Sequence, residues 1–248
     1  MRKTPLFSII TVTYNAETVL SPTLQSIKEQ DFNDFEHLIV DGASRDNTLD
    51  VARNAEIPQM RIYSEPDKGL YDAMNKSIAL AKGQFLIFLN AGDSFSGKDS
   101  LRRLTEHATK DTDIIYGQTQ VVNSERQVIG MRHLTAPRVL TADSFKQGML
   151  VCHQAFVARR EIVPLYDLNY RFSADFDWCI KCLKKSRKNT YVGDTPIINF
   201  LTDGLTDKYH KKSLQERFDI MCKNYGTTTT VLLHISFIPR YLLRKFRK

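Results

Sequence analysis

Between residues 7 and 89 the chain alternates short β-branched runs with helical periods, and this alternation limits the possible folds more than any other feature. Phe7-Ser8-Ile9-Ile10-Thr11-Val12-Thr13 reads as a buried strand. Residues 16–30 carry Val19, Leu20, Leu24 and Ile27 at helical spacing. Residues 36–41 give a second strand; Ser44 and Asp46 then offer caps for a helix over 49–55. Residues 61–63 form a third strand, and the helix over 70–81 puts Leu70, Met74, Ile78 and Ala81 on one face. Residues 84–89 are apolar enough for a central strand. The repetition predicts an α/β fold: an open, mostly parallel twisted sheet with helices on both faces and right-handed crossovers.

The second half is less regular. Residues 113–119 and 120–131 read as strands, arranged as a hairpin, with further strands over 153–158 and 191–200 and helices over 175–185 and 214–225. No repeat, low-complexity tract or dividing linker is visible.

In an open parallel sheet, ligands bind outside the carboxyl ends of the strands. The four N-terminal strands end in Thr13-Tyr14-Asn15, Asp41-Gly42-Ala43-Ser44, Asp67-Lys68-Gly69 and Asn90-Ala91-Gly92-Asp93. Any one of these is an ordinary turn. Together they bring polar groups to one edge.

The same segments carry a resemblance. Thr11 to Asn15, Val40 to Thr48 and Glu65 to Lys76 resemble the successive motifs of family 2 glycosyltransferases with a GT-A fold. Phe88-Leu89-Asn90-Ala91-Gly92-Asp93 stands where that family has its metal-binding D-x-D-like motif. Ser173-Ala174-Asp175-Phe176-Asp177-Trp178 resembles its catalytic-base segment. The likeness spans residues 5–205. It implies inverting transfer of a sugar from a nucleotide diphosphate donor, a UDP-sugar favoured, to a glycan or lipid-linked acceptor in bacterial cell-surface polysaccharide synthesis. It also implies a divalent metal, Mn²⁺ or Mg²⁺. The expected organisation is a catalytic domain over 1–210, with a nucleotide-sugar half (1–112) and an acceptor half (113–210), followed by a helical extension over 211–248.

The resemblance suggests roles. Asp41 would accept the imide N–H of a uracil-type base, since a carboxylate is acceptor-only; the alternative is a turn-forming residue before Gly42. Tyr14 would stack on the base and Asn15 serve its edge, unless both only finish the strand. Thr13 and Ser44 join this donor set. Gly69 permits close backbone approach, and the helix start after it favours anionic groups, with Asp67 and Lys68 alongside. Tyr71 and Asn75, four apart, would line the donor pocket. Asp93 would hold the metal and Asn90 assist, with Ala91 and Gly92 between them; one acidic residue leaves most of the holding to donor phosphates. The other reading of Asp93 is a turn cap. Asp175 is the expected base, taking the acceptor hydroxyl's proton. Asp177 would point about 200° away on a helix and orient the base, touch the acceptor or cap the helix; the two could exchange roles. His153 and Gln154 border the acceptor side, with a satisfied structural histidine as the alternative. A loop at Thr202-Asp203-Gly204-Leu205-Thr206, with His210, could touch the diphosphate.

The net charge is +7, and much of it is terminal: residues 221–248 hold no Asp or Glu, while Arg240, Arg244, Lys245, Arg247 and Lys248 crowd the end. Large apolar residues alternate with these bases from Val231 on, with Pro239 between. The pattern suits an interfacial element on anionic lipid, or a core-docked helix with a solvated end. No apolar stretch reaches the ~20 residues of a spanning helix. The expected location is cytoplasmic, peripheral at the inner face of the plasma membrane. Cys179-x-x-Cys182 lacks the second pair of a zinc site, so Cys152, Cys179, Cys182 and Cys222 are read as packing.

Competing functions fit less well. A sugar-phosphate nucleotidyltransferase needs a Gly-rich basic loop where Tyr14-Asn15-Ala16-Glu17 stands. A dinucleotide oxidoreductase needs G-x-G-x-x-G there. A membrane-bound or RNA-binding module leaves the four polar strand ends unexplained, and no RNA-motif aromatics occur, so no nucleic-acid partner is expected.

Overall fold

The computed structural model describes residues 4–202 and 209–245, apart from the side chains of 210 and 237–245. The expected diphosphate loop at 203–206, the His210 side chain and the terminal basic side chains lie outside the described residues.

The N-terminal alternation is realised as β1 (Phe7–Thr13), α1 (Glu17–Lys28), β2 (Phe35–Asp41), α2 (Thr48–Asn54), β3 (Met60–Ser64), α3 (Leu70–Leu80) and β4 (Phe85–Phe88). β1 pairs in parallel with β2 and with β4, and β2 with β3. Every residue of β1, β2 and β4 is buried, as a parallel strand covered by helices on both faces requires. α1 turns Leu20, Thr23, Leu24 and Ile27 into the core.

The remainder is β5 (Ser94–Phe95), α4 (Ser100–Thr105), β6 (Ile114–Tyr116), β7 (Thr119–Val122), β8 (Val128–Met131), β9 (Phe156–Arg159), α5 (Ala174–Lys185), β10 (Asn189–Tyr191), β11 (Ile198–Leu201), α6 (His210–Tyr225) and α7 (Thr227–Lys245). The main sheet has the order β10-β6-β9-β4-β1-β2-β3. β9 lies antiparallel between β4 and β6, so the sheet is mixed. A second sheet, β5-β11-β7-β8, crosses from early to late segments.

Three expectations change. Residues 113–119 do not form one strand of a hairpin: Gly117 and Gln118 hand the chain from β6 in the main sheet to β7 in the small one. A Cβ at Gly117 would meet Ile197 Cδ1 at 2.9 Å, so glycine lets the Ile197 side chain pack closely against the crossing. The hairpin is β7–β8, with Gln120 opposite Met131. Residues 153–158 open with a 3₁₀ turn, His153–Ala155, before β9. Residues 191–200 split into β10 and β11 in different sheets, with Pro196 between them. Alternation of apolar residues reports a strand but not the sheet that receives it.

After β3 the chain returns past β2 and β1 to β4, so connections leave β1 and β4 in opposite directions. The carboxyl ends of these two strands therefore flank the topological switch point, where open α/β sheets bind ligands. At the other end of the chain, Ile220 and Met221 of α6 join the same core as the strands. α7 stays helical through Pro239; its Thr230 is buried, whereas Val231, Leu232 and Ile235 are exposed. No helix among the described residues is long and apolar enough to cross a membrane.

Candidate active site

The ends of β1 and β2 are locked together around Asp41. Its Oδ1 accepts hydrogen bonds from Thr13 Oγ1 (2.9 Å) and Ser44 Oγ (2.5 Å), and its Oδ2 from Ser44 N (2.9 Å) and Ser64 Oγ (2.7 Å). Burial raises the carboxyl's pKa, but the donations from Ser44, Ser64 and Thr13 outweigh it and leave the pKa below the usual aspartate value. Asn15, at φ 48°, donates its N–H to Ser44 Oγ and accepts from Arg45 N through its side chain. Ala43 also has a left-handed φ of 60°. Two such non-glycine residues at adjacent strand ends mark a held, costly conformation. Tyr14 stands 63% exposed at this rim.

The third strand end is fitted against the second. A Cβ on Gly42 would meet Asp67 Oδ2 at 2.5 Å, so glycine is what lets this carboxylate approach. Asp67 Oδ1 accepts from Gly69 N (2.7 Å), and Lys68 N donates to Asp72 Oδ2 (3.0 Å). The Lys68 side chain is exposed. Both contacts set the entry to α3, which carries Tyr71.

The β4 end is clamped from three sides. Thr23 of α1, fully buried, donates to Asp93 O (2.7 Å) and accepts from Gly92 N (2.9 Å). Asp93 Oδ2 accepts from Gln154 Nε2 (2.6 Å) and Oδ1 from Leu201 N (3.0 Å). Arg126, at the β7–β8 turn, donates to Gly92 O. Burial pushes the Asp93 carboxyl up to about 7, against the Leu201, Gln154 and Arg126 contacts. Gly92 has φ 101°, a conformation strained for any side chain. Ala91 is half-buried against the core.

These residues do not by themselves complete a cation's ligand shell; a donor's phosphates would have to supply the rest. Asp93 is the only acidic residue of the 90–93 turn, and both its carboxylate oxygens already accept protein N–H groups. Asn90 Oδ1 is buried without a partner, one spare oxygen. Among the described residues no group of three or more His, Cys, Asp or Glu could hold a metal ion. Hard divalent cations take six or more oxygens, of which one or two carboxylates can supply the protein's share and substrate phosphates and water the remainder.

On the far side of α3, Tyr71 OH donates to Asp175 Oδ1 (3.1 Å), which also accepts from Phe176 N (2.9 Å). Asp175 is half-buried in the first turn of α5, where the helix dipole favours negative charge. Tyr71 stacks on Tyr166 (5.5 Å between centroids), and Tyr166 stacks on Trp178 (5.1 Å). His153 shares its Nε2 with Tyr166 OH at 2.7 Å and lies against Phe88 and Trp178. Burial lowers the His153 pKa to about 4, so its ring is neutral. The histidine is interior with its Nε2 bonded to Tyr166, and Gln154 beside it serves Asp93.

Two expected site residues have other partners. Asn75 clamps the backbone of Tyr166, donating to its O (3.0 Å) and accepting from its N (2.7 Å). Asp177 is buried on the opposite side of α5, paired with Lys181 Nζ (2.5 Å) and accepting from Asn224 Nδ2 (3.1 Å) of α6. α6 holds the base segment further: Glu216 accepts from Arg171 N and Phe172 N, and Ser213 bonds Ser173. Thr23, Ser64, Arg126, Tyr166 and Leu201 carry the site without a local motif that marks them.

The three regions form one connected assembly. Asp93 joins Gln154, whose neighbour His153 joins Tyr166, Tyr71 and Asp175. Asp41 and Gly42 join Asp67 and Gly69 at the head of the helix bearing Tyr71. Fold and site define a class: an α/β protein whose polar strand ends gather at a strand switch point, with a carboxylate beside them.

Comparison with known proteins makes that class definite. The glycosyl transferase family 2 model matches residues 8–164. A PGL/p-HBAD biosynthesis glycosyltransferase of Mycobacterium bovis (strain BCG / Pasteur 1173P2) is 39% identical over 226 residues, 85% of this chain and 84% of that protein. Among solved structures, S. aureus TarS 1–349 in complex with UDP-GlcNAc superposes with a TM-score of 0.66 at 18% identity, covering 95% of this chain and 72% of that one. The mannosyltransferase PcManGT of Pyrobaculum calidifontis, in complex with GDP-Man and Mn²⁺, gives 0.60 at 15% identity over 99% and 80%. The chain belongs to glycosyl transferase family 2, with the GT-A fold, and is a glycosyltransferase.

Proposed function

We propose that the protein transfers a sugar, with inversion, from a nucleoside diphosphate donor to a glycan or lipid-linked acceptor in bacterial surface-polysaccharide assembly. The observation that carries this reading is the half-buried Asp175, bonded through Tyr71 to the helix that starts at the donor-side strand ends. The names of the similar proteins support the pathway class, and the UDP-GlcNAc bound to TarS favours a UDP-sugar.

In this reading Tyr14 stacks on the base, and Asp41 meets the base's imide N–H by giving up one serine hydroxyl. Thr13, Asn15 and Ser44 keep that edge rigid, and Asp67, Lys68 and Gly69 border the phosphates. Asp175 takes the acceptor hydroxyl's proton as its oxygen attacks the anomeric carbon opposite the leaving diphosphate. Tyr71 OH and Phe176 N–H hold Asp175 Oδ1, and Oδ2 has no protein donor among the described residues. A divalent cation would neutralise charge on the leaving group. The Mn²⁺ in PcManGT speaks for one, the donor set at Asn90 and Asp93 against one, and no step is routed through it.

Residues 1–210 would then be the catalytic body, and 211–248 would brace α5 through α6 and meet anionic lipid at the cytoplasmic face through α7. The exposed Val231, Leu232 and Ile235 and the five terminal basic residues support that placement. Thermal-shift and nucleotide-release assays against UDP-, GDP- and dTDP-sugars test the function, with the product anomer read by NMR. Stabilisation by a UDP-sugar and an inverted product are expected; a retained anomeric configuration refutes the mechanism.

A further inference from the structure

We propose that the Arg126 guanidinium supplies the positive charge that holds and neutralises the donor's diphosphate at the β4 strand end. The inference rests on the nucleoside-diphosphate reading above.

Three observations lead there. First, the 90–93 turn brings one carboxyl group and no cation: Asp93 is its one acidic residue, and Leu201 N and Gln154 Nε2 occupy both its oxygens. A diphosphate entering here carries charge that this turn does nothing to neutralise, so it needs a cation. Second, Arg126 is the cation placed there. It donates to Gly92 O and acts electrostatically on Asp93. The Gly92 carbonyl is the guanidinium's one hydrogen-bond partner among the described residues, which leaves most of its five N–H donors for phosphate oxygens. A guanidinium fork matches phosphate bidentately and keeps its charge at all working pH.

Third, the side chain is aimed by a built turn rather than by chance exposure. Arg126 has φ 66°, and the β7–β8 turn is closed by Arg126 N to Asn123 O (3.0 Å), Asn123 N to Gln127 O (3.0 Å) and Gln127 N to Asn123 Oδ1 (2.8 Å). A left-handed arginine is costly, and the turn pins it there. The half-buried side chain then reaches back 34 residues in sequence to the β4 end. Lys68 lies beyond the β3 end instead, exposed.

Calorimetric titration of UDP into the full chain tests this, in EDTA and then with Mn²⁺. Wild type is expected to bind UDP in EDTA, with Mn²⁺ changing Kd less than about threefold. Arg126→Ala should weaken UDP at least tenfold and leave uridine unchanged. Arg126→Gln keeps a donor for the Gly92 carbonyl and removes the charge, so it separates the two roles: it should bind UDP as poorly as Arg126→Ala while melting like wild type. Wild-type UDP affinity in Arg126→Gln, or binding that vanishes in EDTA and returns with Mn²⁺ in all three proteins, overturns the inference. Absence of UDP binding in every condition overturns the donor reading with it.

Discussion

The strand ends around Asp41 and the setting of Asp175 are built by opposite means. At the first a carboxylate is immobilised by polar groups: Asp41 accepts four hydrogen bonds from Thr13, Ser44 and Ser64. Around Asp175 the walls are rings: Tyr71, Tyr166 and Trp178 stack face to face, Phe88 and His153 meet Trp178 edge-on, and the carboxylate emerges at their margin. The first arrangement fills a carboxylate with protein donors and holds it rigid. The second leaves one carboxylate oxygen without a donor among the described residues, as a proton acceptor needs.

The largest effect should come from breaking the second region. Asp175→Asn keeps the shape and an acceptor for Tyr71 OH but removes the base. Turnover should fall by about 10³-fold or more, within the usual range for a lost general base. UDP affinity and melting temperature should stay near wild type. Turnover within tenfold of wild type in a coupled nucleotide-release assay removes Asp175 from the chemistry.

The first region should fail by stability instead. Asp41→Asn removes the charge, and its amide N–H₂ can be seated only against the Thr13 and Ser44 hydroxyls, which must then turn from donating to accepting. Its amide oxygen keeps Ser44 N and Ser64 Oγ as donors. Lost charged hydrogen bonds of this kind cost about 2–3 kcal/mol, or roughly 4–12 °C in Tm for a chain of this size. An unchanged melting curve would mean that the four contacts add no rigidity.

The two regions also differ in how far the sequence revealed them. Thr13, Asn15, Asp41, Ser44 and Asp67 fall where strands end, so period and turn chemistry place them together before any coordinates exist. Thr23 sits inside a helix, Tyr166 in an irregular loop and Arg126 at the tip of a hairpin. They reach the site only through contacts 34 to 95 residues away in sequence, as in Arg126 to Gly92, Thr23 to Gly92 and Asp93, and Tyr166 to Tyr71. Strand alternation also failed to say that β6 and β7, two residues apart, belong to different sheets.

The finest contrast lies within α5, where two aspartates stand two residues apart. Asp175 faces Tyr71; Asp177 is buried against Lys181 and Asn224 on the side that docks α6. Asp177→Asn should leave turnover within about twofold of wild type. It should cost only about 1–2 kcal/mol, because Lys181, one-third exposed, can swing to water and so avoids the larger penalty of a stranded buried charge. Urea denaturation and steady-state kinetics on the same preparation separate the two quantities. A deep loss of turnover without loss of stability would give Asp177 the catalytic role, because a residue that only ties α5 to α6 cannot slow the chemistry while leaving the fold intact.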